Sequence, residues 1–172
     1  MMHFYLPQKK EAPNLKYPRF KLGTQKMCFF TSYDNPWVYK GPSSLSGMQI
    51  GIAKDTSVEE LDNFIKLNQK LFQYQPYHER YVIQNAKKLL KKRIDAFIFT
   101  ENTTNFELKN EKIDNLIKNA GCVSNANIFM ALTAEKSKEH HVSKILSFFD
   151  RKMIRLKETG YIDKLFKKYN LE

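Results

Sequence analysis

The chain is short of the residues that punctuate or staple a fold: 6 glycines, 6 prolines, 2 cysteines and 1 tryptophan in 172 residues. That usage excludes collagen-like, low-complexity and disulfide-dense scaffolds. Cys28 and Cys122 stand far apart with no further ligand beside either, so no zinc site is indicated; free buried thiols are the expected state, with a bond between them in an oxidising compartment as the alternative. No window is long and apolar enough to span a membrane. The opening MMHFYLPQKKEAP has no apolar h-region and no small-residue cleavage site, so it does not read as a signal peptide. There is no P-loop, no HExxH and no nucleophile–base pair, and neither a metal nor a cofactor is indicated. His140 and His141 are adjacent on a predicted helix and diverge, while His3 and His78 have no companions.

Acidic residues are also scarce: 18 Asp and Glu against 29 Lys and Arg, a formal charge of +11. Such an excess raises the alternative of a nucleic-acid binder. The lysines are, however, spread along the chain. The one dense run, Lys87, Lys88, Lys91, Lys92 and Arg93, lies on a predicted helix whose other face carries Val82, Ala86, Leu89 and Leu90, which reads as a solvated face.

What is present is a chain that can bury a core, 42% hydrophobic and 13% aromatic. Met27–Thr31 and Trp37–Tyr39 read as extended. Ile50–Ala53 reads as a buried strand, followed by a helix capped by Ser57 with Glu60 at the return position of a capping box. Leu61, Phe64, Ile65 and Asn68 line that helix. Phe72–Gln75 is a second strand, His78–Lys92 a second helix, and Ile94–Phe99 a third strand, apolar after Asp95 as a strand covered on both faces must be. Alternating strands and helices predict a small parallel sheet with crossover helices. Thr103–Asn119 reads as helical in pieces, with Ile113, Leu116 and Ile117 on one side and Gly121 as the stop. Ala126–Thr133 is a further strand. A long amphipathic helix carries Val142, Ile145, Leu146, Phe149, Met153 and Leu156. Gly160 ends it, and Tyr161–Tyr169 forms a terminal helix.

Ser44–Ile52, Leu89–Ala96 and Phe149–Tyr169, in this order, resemble segments of the extracellular family 3 solute-binding proteins of amino-acid ABC transporters. Ser44–Ile52 is similar to that family's entry into its second lobe. Leu89–Ala96 is similar to its LlxGRiDa element, and Phe149–Tyr169 to its C-terminal helices. The resemblance implies an α/β periplasmic-binding-protein-like fold: a complete lobe 2 over residues 42–127, and a partial lobe 1 from 1–41 and 128–172. On this resemblance the first part of lobe 1 is expected to be missing, and an open sheet edge there predicts self-association as a homodimer.

The resemblance further implies a non-enzymatic binder of a small polar, amino-acid-like solute, serving uptake with an ABC-transporter membrane component, or sensing, in the periplasm. Thr56 and Ser57, expected at a helix N-terminus that favours a carboxylate, and Thr100 and Glu101, after the third strand, are the expected ligand contacts. The family's ammonium-binding aspartate falls at Thr100, which is uncharged; Glu101 follows one residue later, where a strand side chain faces the opposite side, so a neutral or different polar solute, or none, is the alternative to an α-amino acid. Trp37, Tyr74 and Tyr77 are candidate pocket aromatics, with core packing as their alternative. A dehydratase-like enzyme on the same fold ranks last, because Glu101 is its only candidate acid or base. Asp95 and Arg93 read as structural.

Overall fold

The computed structural model describes residues 3–5, 15–54, 56, 58, 60–133 and 139–169. The chain divides into two units, Met1–Gln25 with Ala126–Glu172 (unit 1) and Lys26–Asn125 (unit 2). Two long strands, β3 (Gly23–Ser32) and β7 (Ile117–Thr133), run through both. Residues 26–41 belong to unit 2.

Unit 2 contains β4 (Ile50–Ala53), α1 (Asp62–Leu67), β5 (Phe72–Gln75), α2 (Tyr81–Leu90), β6 (Ala96–Thr100) and α3 (Glu101–Asn110). β4 pairs in parallel with both β5 and β6, in the register Ile52↔Tyr74 and Gly51↔Phe97. This is the parallel sheet with crossover helices expected from the alternation of elements. β3 closes the other side of β6 antiparallel, with Cys28 opposite Phe99 and Phe30 opposite Phe97, and β7 lies beside β3.

Successive residues of a strand face opposite sides, and the two cores follow that rule. Phe30, Phe97 and Phe99 pack with Val82, Ala86 and Leu89 of α2. Phe29, Ile98, Ile50 and Ile52 pack with Leu61 and Ile65 on the α1 side. Covered on both faces, β4 and β6 need the unbroken apolar runs they carry. The third core strand begins at Ala96 rather than Ile94, because Asp95 is spent locally: its Oδ2 accepts from Gln49 N at 2.7 Å. Gly51 is required by close approach. A Cβ there would collide with the side chain of Asn85 on α2 and stand 3.1 Å from Ile94 Cδ1.

Three expectations are corrected. α1 starts at Asp62 with no side-chain cap on Leu61, later than the expected capping box, whose Ser57 lies outside the described residues. Leu90 is 41% exposed and leaves the apolar face of α2. The segment taken as a broken helix up to Gly121 is instead α3 followed by β7. Ile113, Leu116 and Ile117 have helical spacing by coincidence. Gly121 sits inside β7 at φ 115, its N–H donating to Asn119 Oδ1 at 2.8 Å.

The true stops of α2 and α3 are lysines in the left-handed region, Lys92 at φ 54 and Lys112 at φ 58. In each case the next N–H reaches back six residues inclusive, Arg93 N to Lys88 O at 2.9 Å and Ile113 N to Leu108 O at 3.0 Å, the arrangement that normally takes glycine. An L side chain in that region is disfavoured by about 1–2 kcal/mol, and glycine's freer unfolded chain offsets part of the gain. Lys92→Gly and Lys112→Gly are therefore each expected to stabilise unit 2 by roughly 0.5–1 kcal/mol. Urea melts check this; a fall in midpoint would show that the lysine stems pack against something the glycine loses.

In unit 1, β1 (His3–Tyr5) and β2 (Leu15–Lys16) pair antiparallel with the far half of β7. α4 (Glu139–Glu158) buries Val142 and Met153, with Leu146, Phe149 and Leu156 half-buried, whereas Ile145 faces solvent. Gly160, at φ 65, turns the chain into α5 (Tyr161–Tyr169). Asp150 accepts from the backbone N–H groups of Arg19 and Phe20 at 3.0–3.2 Å. Among the described residues no helix is long and apolar enough to cross a membrane.

Candidate functional site

Ligands of open parallel sheets gather at the carboxyl ends of the strands. Here that edge of unit 2 is formed by the chain leaving β4, β5 and β6. Because β4 lies between β5 and β6, the loop after Ala53 and the junction Thr100–Glu101 fall on one edge.

Thr56 is half-buried, its N–H donating to Ala53 O at 3.3 Å; Ser57 lies outside the described residues. No helix starts at Thr56. The helix begins six residues after Thr56, and Val58 N–H donates to Asp62 Oδ1 at 2.9 Å instead.

Thr100 ends β6 and is the residue before α3, whose first position is Glu101. A carboxylate there is favoured by the helix dipole. Its two oxygens are both engaged: Oε2 lies 3.1 Å from Lys26 Nζ on β3, and Oε1 accepts from Asn119 Nδ2 on β7 at 2.8 Å. The Glu101 side chain keeps 21% of its surface open. Directly against it, Cys28 and Cys122 are joined in a disulfide. This overturns the expectation of free thiols. β3 lies between β6 and β7 in the sheet, so Cys28 on β3 and Cys122 on β7 stand on neighbouring strands. Cys28 is buried and Cys122 is exposed.

The aromatic candidates separate. Trp37 packs edge-on against Phe29 at 5.6 Å and donates its indole N–H to Ser44 O at 3.0 Å, so ring and polar tip both serve the core. Tyr74 is half-exposed on the outer strand β5. Tyr77, 63% exposed, stacks on Phe99 at 5.6 Å and thus belongs to the carboxyl edge. Beneath it Tyr81 is buried, and desolvation pushes its hydroxyl well above the ordinary tyrosine range, so it stays protonated. Gln75, His78 and Gln84 form a polar group at the same end of β5, with Gln84 Oε1 meeting both Gln75 Nε2 and His78 Nε2. Sequence reasoning missed Lys26, Asn119 and this glutamine–histidine group. Only pairing of β3, β6 and β7 brings the first two to Glu101.

A parallel α/β unit entered and left by two long strands, which run on into a second unit, defines the periplasmic-binding-protein-like class of fold. Solved structures bear this out. A histidine kinase sensor domain with similarity to periplasmic binding proteins matches at TM-score 0.68 and 12% identity over 98% of this chain and 67% of its own. An amino-acid ABC transporter substrate-binding protein from Streptococcus pneumoniae, bound to L-arginine, matches at 0.65 and 15% over 95% and 64%. A probable amino-acid ABC transporter extracellular-binding protein from Bacillus subtilis matches at 0.66 and 19% over 96% and 68%. The chain thus spans about two thirds of the length of these structures. No family model and no curated protein matches the sequence.

Proposed function

We propose that the chain binds a small polar solute, amino-acid-like and bearing a cationic nitrogen, at the carboxyl edge of β4 and β6, and does not transform it. Such a binder would act outside the cytoplasm, in uptake with an ABC-transporter membrane component or in sensing, as its fold neighbours' descriptions suggest. A second copy of the chain as partner belongs to the same proposal.

The observation that carries the reading is Glu101: a carboxylate held at the head of α3 by Lys26 and Asn119, partly open to solvent. It sits one residue after the position where the resembling family keeps an aspartate. A solute ammonium would share or replace Lys26 on Oε2, while the hydroxyls of Thr56 and Thr100 offer neutral hydrogen bonds on the same edge. Glu101 has a cation and an amide as neighbours rather than a second acid or base, which favours binding over dehydratase chemistry.

A melting screen of amino acids, polyamines, sugars and organic acids tests this. Any ligand selective for the folded state raises its stability, by about 2.7 kcal/mol at a hundredfold excess over Kd. An amine-bearing solute is expected to produce the shift, and Glu101→Gln, which keeps an acceptor for Asn119 but removes the charge, to weaken its binding by about tenfold or more. A screen with no shift sinks the proposal; a shift insensitive to Glu101→Gln moves the solute away from this carboxylate.

A further inference from the structure

Cys28 Sγ, Cys122 Sγ and a carboxylate oxygen of Glu101 lie within 4.8 Å of one another. They come from three elements, β3, β7 and the head of α3, which the sheet pairing holds together. We propose that opening the disulfide converts this corner into a binding site for a borderline-soft divalent cation, Zn²⁺ being the best fit. The inference concerns the metal alone and does not depend on the solute reading.

The chemistry of the donors supports it. Two thiolates and one carboxylate are a zinc donor set, with Zn–S near ~2.3 Å and Zn–O near ~2.0–2.2 Å, which places tetrahedral donors roughly 3.5 Å apart. Once unbonded, the two sulfurs must separate to about that van der Waals spacing, and Glu101 already stands within reach. Cys122 is exposed, so a reductant can attack its sulfur and a water can fill the fourth position. Asn119 supplies the supporting contact that orients a metal-binding carboxylate: it donates to Glu101 Oε1 at 2.8 Å and lies 3.6 Å from Cys122 Sγ. Charge also balances. The carboxylate and two thiolates carry three negative charges, against the Lys26 ammonium and one divalent cation. In the oxidised chain the Lys26 ammonium answers the charge of Glu101, and the sulfurs are bonded to each other.

The redox step needs a dithiol reductant. Its thiolate attacks the exposed sulfur, the S–S bond breaks, and the reductant leaves as its own cyclic disulfide, having delivered two electrons and two protons to the cysteines. Cation binding then releases both thiol protons.

The test uses the full chain, reduced with a dithiol, desalted without oxygen, and titrated with Co²⁺ and then Zn²⁺. Reduced protein is expected to develop thiolate-to-cobalt charge-transfer absorption that saturates at about one ion per chain and is bleached by Zn²⁺. The oxidised chain should show none. Cys122→Ser, at an exposed position, should lose most of the band, and Glu101→Gln should weaken uptake by about tenfold or more. The decisive reading requires no variant: a reduced chain without charge-transfer absorption overturns the site. Equal uptake by Glu101→Gln and the parent, both folded by circular dichroism, overturns the part given to the carboxylate.

Discussion

Reducing the Cys28–Cys122 bond is expected to lower the melting temperature by roughly 5–20 °C. The bond joins residues 94 apart in sequence, nearly the whole of unit 2. In the chain-entropy account, a loop of that length restrains the unfolded ensemble by close to 4.7 kcal/mol, and measured losses run at about 2–5 kcal/mol. For a chain of this size each kcal/mol moves the midpoint by about 2–4 °C. Paired oxidised and reduced melts in the absence of metal, with a free-thiol count on each sample, check the prediction. Coincident melts with the bond demonstrably opened would show that the unfolded state of unit 2 is already restrained by other means. Zn²⁺ added to the reduced chain should recover part of the loss, because a ligand of the folded state stabilises it. Such bonds persist in oxidising compartments.

Much of unit 2 was legible because its strands and helices differ in apolar period. Ile50–Ala53 and Phe72–Gln75 match the observed β4 and β5 end to end, and Tyr161–Tyr169 matches α5. A four-residue run of buried apolar side chains has few alternatives once turn residues bracket it. Two of the misreadings share a cause: residue type points to a stop or cap where the fold meets the same need by geometry. Gly121 looks like a helix stop, yet the left-handed residue ending α3 is Lys112, tolerated because Ile113 N–H secures the carbonyl of Leu108. Ser57 with Glu60 has the spacing of a capping box, but the chain turns at Val58–Leu61 and starts its helix only at Asp62. Local signals name what a residue permits. Pairing decides what it does.

The site was less legible, for a related reason. Thr100 and Glu101 follow a strand whose end the sequence marks well, so their position on the carboxyl edge could be expected. The partners of Glu101 could not: Lys26 is 75 positions earlier, and Asn119 is 18 later. They meet only because β3 and β7 pair beside β6, a non-local fact that no local window contains. The disulfide is the same case. The two cysteines are unremarkable on the chain, and they become a bonded pair when the two long strands are set side by side. The resemblance carried one usable signal, since a chain implied to be periplasmic should form bonds from cysteines that meet.

Phe97→Ala is expected to destabilise unit 2 by about 3–5 kcal/mol, as truncation of a fully buried aromatic does when the surroundings cannot collapse. Phe97 is 0% exposed in the middle of β6, the strand flanked by β3 and β4. Its ring stacks on Phe30 at 5.3 Å across the β3 pairing and packs under α2 with Val82 and Ala86. Collapse is hindered on both sides. Phe30 is fixed by its own strand, and α2 is held off by Asn85 seated over Gly51. The expected reading is a fall in urea midpoint with little change in slope, since the unfolded state is unaltered. Phe106→Ala is the control. That residue is 49% exposed on α3 and should change stability by no more than about 0.5 kcal/mol. Equal losses at the two positions would mean that α3 anchors the unit as strongly as its central strand. A negligible loss at Phe97 would mean that the packing between β6 and α2 is loose, and with it the platform that positions Thr100 and Glu101.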